Sequence, residues 1–200
     1  MPTIMTTQND SPVIRQALGA SARLLQQNQP EEVIELLGPL NEADPENADL
    51  AINLGGAYVL LRKWDDAVDA LTPAAEANPN NAMLWSNLAA AQLGRLETAG
   101  PRAQLAAIEA YKRALQADPK APHVHYNLGL IFKERGDLDR AMAMFERALD
   151  VNPKDQDAAY WLERIERVLL EARAEQEAAA RADAQNGADE APDEATNVNG

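Results

Sequence analysis

From His125 to Pro153 the chain reads HYNLGLIFKERGDLDRAMAMFERALDVNP. Leu128, Ile131 and Phe132 recur at intervals of three and four residues, which puts them on one face of a helix at 3.6 residues per turn. Gly136-Asp137 then breaks the pattern, because glycine readily takes the left-handed conformation that ends a helix. A second helical stripe follows in Leu138, Ala141, Met142, Phe145, Ala148 and Leu149. The stretch therefore predicts two antiparallel helices. Gly129, Ala141 and Ala148 fall where the two axes must come close, since a larger side chain would push them apart. Pro153 stops the second helix and suits the first turn of the next one.

The pattern recurs upstream. AINLGGAY (Ala51 to Tyr58), WSNLAAAQ (Trp85 to Gln92) and HYNLGLIF (His125 to Phe132) share Asn-Leu followed by Gly or Ala. Their leucines are Leu54, Leu88 and Leu128, so the steps are 88 − 54 = 34 and 128 − 88 = 40 residues. The second halves close at Pro45, Pro79, Pro119 and Pro153. Four copies tile without gaps over 14–47, 48–81, 82–121 and 122–155. The third carries six extra residues around ETAGPR, between Glu97 and Arg102, a lengthened turn that either touches a partner or is tolerated decoration. In the first, Ser21 replaces the glycine and Gly38-Pro39 is expected to interrupt the second helix.

Helix pairs of this period, with Leu128, Gly129, Phe132, Ala141, Phe145, Ala148 and Pro153 at these offsets, resemble the tetratricopeptide repeat family. The second copy matches through Leu54, Gly55, Tyr58, Ala67, Leu71, Ala74 and Pro79, and the third through Trp85, Leu88, Ala89, Ala107, Tyr111, Ala114 and Pro119. The resemblance implies an all-α fold, a right-handed α-solenoid in which each hairpin completes its neighbour's core. Residues 156–181 keep a helical apolar face in Ala158, Trp161, Leu162 and Ile165 but lack a partner, and read as a C-terminal capping helix. Residues 1–13 are expected to form a flexible arm. Residues 182–200, with five acidic and no basic side chains, are expected to form a disordered acidic tail.

In the family the first helix of each pair lines a concave surface where peptides are held. Carried onto this chain, that groove takes Leu18 and Leu25 from the first copy and Ile52 and Val59 from the second. Met83 and Leu93 follow from the third, then Tyr126 and Leu130 from the fourth. Asn53, Asn87 and Asn127 share one place in three successive copies. An asparagine offers a donor and an acceptor, so the three either hold the main chain of an extended ligand or bond the neighbouring helix. Some members bind chaperone C-termini through a clamp of Lys, Asn and Arg. Here the Lys place is Leu18, Ile52 or Ser86, and the later basic pair is His123 and Asn127, so an apolar extended or helical segment fits better. The competing expectations are a groove filled by this chain itself, a homo-oligomer built through stacking faces, and a regulatory subunit of an enzyme.

Composition narrows the remaining classes. The 200 residues contain no cysteine, which excludes disulfides and thiolate metal sites and suits a reducing, cytoplasmic setting. With 18 Lys+Arg against 32 Asp+Glu the net charge is −14, a field that repels phosphate backbones and argues against nucleic acid. The imbalance is local: residues 14–81 hold 4 basic and 11 acidic side chains, whereas 82–155 hold 10 and 9. No stretch has the length and apolarity of a membrane span. No nucleophile turn, phosphate loop or metal spacing appears, and His123 and His125, two apart, do not share a helix face. The sequence thus predicts a protein-interaction scaffold that is not an enzyme and takes no cofactor.

Overall fold

The computed structural model describes residues 11–189, with side chains up to Arg181. Four helix pairs follow one another: α1 (Pro12–Gln26) with α2 (Pro30–Ala43), α3 (Ala48–Leu60) with α4 (Trp64–Ala77), α5 (Ala82–Leu93) with α6 (Pro101–Ala117), and α7 (Val124–Glu134) with α8 (Leu138–Val151). A ninth helix, α9 (Gln156–Asp189), lies against α8. The fold is all-α, a right-handed solenoid in which the second helix of each pair packs on the first helix of the next. Two expected boundaries shift. Pro12 and Val13, placed in the flexible arm, already belong to α1, because proline suits an N-terminal helical position. Helix α9 runs on to Asp189, into the expected tail, where its alanines favour helix; the rest of the tail and residues 1–10 of the arm lie outside the described residues.

Within each pair the axes meet over a small residue. A Cβ built on Gly55 would lie 2.7 Å from Leu71 Cγ, and one on Gly129 would lie 2.7 Å from Phe145 Cε1. The third pair carries Ala89 at this place, and the first carries Ser21, whose hydroxyl donates to the Leu18 carbonyl at 2.9 Å. Leu37 and Leu50 anchor a first apolar cluster, shared by α1 to α4. Leu71, Leu84, Tyr111, Ile131 and Phe145 anchor a second that continues to Ala158 and Ile165 of α9. Helix α3 joins them, with Leu50 and Leu54 in one cluster and Ala51 in the other. Each fully buried leucine contributes roughly 1.5–3 kcal/mol.

Two kinds of turn set the spacing. Between the helices of a pair, Asn28, Arg62 and Gly136 take φ of 57°, 58° and 73°. The next amide then closes the helix end, as in Lys63 N to Tyr58 O at 2.9 Å and Asp137 N to Phe132 O at 3.0 Å. Between pairs, Pro45, Pro79, Pro119 and Pro153 occupy the second place of a tight turn closed by the amide two residues later, for example Asn81 N to Asn78 O at 2.9 Å. These prolines therefore stand in the connecting turn, and not in the first turn of the following helix. The turn's last residue caps that helix: Asn47 accepts from Leu50 N, Asn81 from Met83 N and Leu84 N, and Asp155 from Ala158 N. Ala121 lacks a cap oxygen, and α7 begins only at Val124, after His123 has taken a left-handed φ of 61°.

Gly38-Pro39 does not interrupt α2. Pro39 lies inside the helix, as Pro73 lies inside α4. Each removes one main-chain hydrogen bond, but Val33, Leu37 and Asn41 are buried on either side of Pro39 and hold the helix together across it.

Gly129→Ala should destabilise the protein by about 1–3 kcal/mol, because the backbone beneath Phe145 has no room for a methyl group. Urea unfolding followed by circular dichroism measures the loss.

Candidate protein-interaction surface

The first helices make the surface on which the groove residues were placed. Helix α1 packs on α3 and α3 on α5, whereas α7 leans on α6 and on a short 3-10 turn, Leu96–Thr98, and has only slight contact with α5. Leu18 and Leu25 are half-buried at the edge of the first cluster. Ile52, Val59, Leu93, Tyr126 and Leu130 are half-buried at the edge of the second. Met83 stands out at 60% exposure, at the start of α5 where no neighbouring helix covers it.

The three asparagines, equivalent in the repeat, differ in their bonding. Asn53 donates to the Asp49 carbonyl of its own helix at 2.8 Å. Asn127 lies near the hydroxyl of Tyr111, a residue of the preceding pair. Tyr111 is 2% exposed, and burial pushes its phenol up to about 12, a rise that the nearby Asn127 side chain partly opposes. Asn87 makes no side-chain hydrogen bond to any described residue and is half-exposed. Of the three, Asn127 serves the junction between repeats, and Asn87 keeps both its donor and its acceptor for something else.

Two clefts open beside this surface. One, of about 690 Å3, lies under the extra segment of the third pair and is lined by Trp64, Val68, Leu93, Arg95 and Arg102. Gly94, with φ of 60°, turns the chain beside the Trp64 indole, and a Cβ built on it would lie 3.5 Å from that ring. The inserted turn thus roofs an aromatic side chain at the place where Pro30 heads α2 and Leu138 heads α8. The other cleft, of about 300 Å3, is lined by His123, His125, Tyr126, Asn152 and Asp155. Burial lowers the His125 imidazole below its usual range, nearby Arg147 adds to the fall, and Asp150 opposes it. Cations also cover aromatic faces: the Arg113 guanidinium lies 4.8 Å from the Trp85 ring and Lys133 Nζ 4.3 Å from Trp161.

Among the described residues no group of three His, Asp or Glu stands together as a metal site, and no helix is long and apolar enough to cross a membrane.

The family model for the tetratricopeptide repeat matches residues 24–95 and 105–165, more than half of the chain. The chain belongs to the tetratricopeptide repeat family. The gap in the match, 96–104, takes in the whole inserted segment from Glu97 to Arg102. No curated protein matches the chain. Among solved structures, a crystal structure of MamA protein superposes with a TM-score of 0.63 at 18% identity, over 94% of this chain and 98% of that one. MamA MSR-1 C2 gives 0.58 at 27% identity, over 74% and 80%. The first TPR of Spaghetti (RPAP3), bound to HSP90 peptide SRMEEVD, gives 0.56 at 24% identity, over 64% and 98%.

The His125 shift gives a pH dependence with a definite sign. The folded chain holds this imidazole below its unfolded value of 6.5, so the unfolded state binds the proton first. Stability should fall as pH drops below about 6.5. The fall should be shallower in His125→Phe, as read from thermal melts at successive pH values between neutral and mildly acidic.

Proposed function

We propose that this tetratricopeptide protein is a non-catalytic scaffold that holds an apolar extended or helical segment of a partner protein along its first helices. The observation that carries the reading is the row of half-buried apolar side chains on α1, α3, α5 and α7, with the exposed Met83 and the unbonded Asn87 at its middle. Burying roughly 300 Å2 of such surface yields about 7 kcal/mol before the costs of association. Asn87 supplies a donor and an acceptor to a ligand main chain, and Asn53 keeps its acceptor oxygen for the same purpose. The acidic peptide bound by the RPAP3 domain suits this surface poorly, because Leu18, Ile52 and Ser86 stand where a lysine would be needed. The overall negative charge speaks against nucleic acid as the partner. A cytoplasmic location accords with the absence of cysteine.

Selection from a random peptide library on the immobilised protein tests this directly. Enriched peptides should carry apolar residues at helical or alternating spacing and should lose binding to Met83→Glu and to Asn87→Ala, with melting unchanged in both variants. Peptides that bind these variants as well as the parent would remove the groove.

A homo-oligomer is supported by one further observation: Tyr160, Val168 and Leu170 of α9 are 52%, 46% and 65% exposed. On that reading α9 docks on a second copy. Light scattering of the full chain should then give a multiple of the monomer mass, and a monomer mass at high concentration would exclude it.

A further inference from the structure

Away from the groove residues, α2, α3 and α4 enclose a cleft of about 210 Å3 lined by Asn41, Glu42, Tyr58, Asp66 and Asp69. Its polar chemistry is one-sided: three carboxylates, a phenol and a carboxamide, with no Lys, Arg or His in the lining. Glu42, Asp66 and Asp69 form no ion pair with any described residue. Asn41 is the unusual member. It is 8% exposed, and its Oδ1 is buried without a hydrogen-bond partner. The corresponding places in the other copies, at steps of 34, 40 and 34 residues, hold Ala75, Leu115 and Leu149. A packing position has thus been given to a polar group whose acceptor the fold leaves unsatisfied.

We infer that this cleft is a binding site for an arginine side chain presented by a partner protein. A guanidinium has five donors and no acceptor, so it complements a lining whose charged groups only accept. It is also planar, and Tyr58 forms one wall on which it can stack. The carboxylates do not converge as a metal site, which leaves an organic cation as the fitting charge. Residues 1–10 and 190–200 contain no Lys or Arg and so are not its source. The Tyr58 phenol is held above its usual range by burial and then by Asp66 and Glu42, so these two carboxylates bear on one point of the cleft. The imbalance of 4 basic to 11 acidic residues over 14–81 draws a cationic partner to this end of the molecule. The site is independent of the groove and does not rest on the groove's occupant.

The test uses the full 15N-labelled chain titrated with Nα-acetyl-arginine-N-methylamide, with the uncharged citrulline analogue as control. The arginine compound should shift the Asn41 side-chain amide and the amides of Gly38 and Ala70 in a saturable way, and the citrulline compound should not. The response should be lost in Asp66→Asn/Asp69→Asn, whose positions are exposed and whose fold is checked by circular dichroism. Asn41→Leu should lose the response while raising the melting temperature, since an unsatisfied buried acceptor is removed. Equal shifts from citrulline, shifts that survive in the aspartate double variant, or shifts centred on Met83 and Asn87 would each overturn the assignment.

Discussion

A single helix pair in this chain cannot keep its apolar residues dry. Each pair carries apolar side chains on two faces, one turned to its own partner helix and one to the next pair. The first requirement is met locally, by Gly55 under Leu71 and Gly129 under Phe145. The second is met only by stacking, and α3 makes the dependence visible, since Leu50 and Ala51, adjacent in sequence, serve different clusters. From that constraint follow the regular turns, the capping role of α9 and the continuous face of first helices on which a partner could lie.

The departures from regularity cluster at the third and fourth pairs. The inserted turn lengthens the link between α5 and α6, which still pack closely, and α7 rests on α6 and the 3-10 turn more than on α5. The following junction lacks its cap at Ala121 and places His123 in a left-handed conformation, which costs roughly 1–2 kcal/mol for a residue with a Cβ. Asn127 lies near Tyr111 across this looser junction. One repeat position thus meets different neighbours in different copies, and only those neighbours decide what its side chain can reach.

Period and small residues made the fold legible. A step of 34 residues and the pairing of Gly with Phe or Leu across a turn are properties of sequence order, so they could be read without coordinates. Gly38-Pro39 misled because proline's cost is local while the burial of Val33 and Leu37 that offsets it is tertiary. Of the candidate surface, the apolar places were legible as positions, but the bonding of Asn53, Asn87 and Asn127 was not, since it depends on the particular carbonyl or hydroxyl within reach. The cleft at Asn41 was half legible: comparison of the copies exposes an asparagine in an apolar column, but the unpartnered oxygen appears only once α2, α3 and α4 are assembled.

Interdependence of neighbouring pairs is tested most directly by hydrogen exchange on the full chain and on a chain ending at Asp155, which lacks α9. Loss of Ala158, Trp161 and Ile165 should leave the outer side of α8 wet, so the amides of α7 and α8 should lose protection while those of α3 and α4 keep theirs. Protection of α7 and α8 that stays the same without α9 would contradict the account, because a pair would then be shown to stay dry alone.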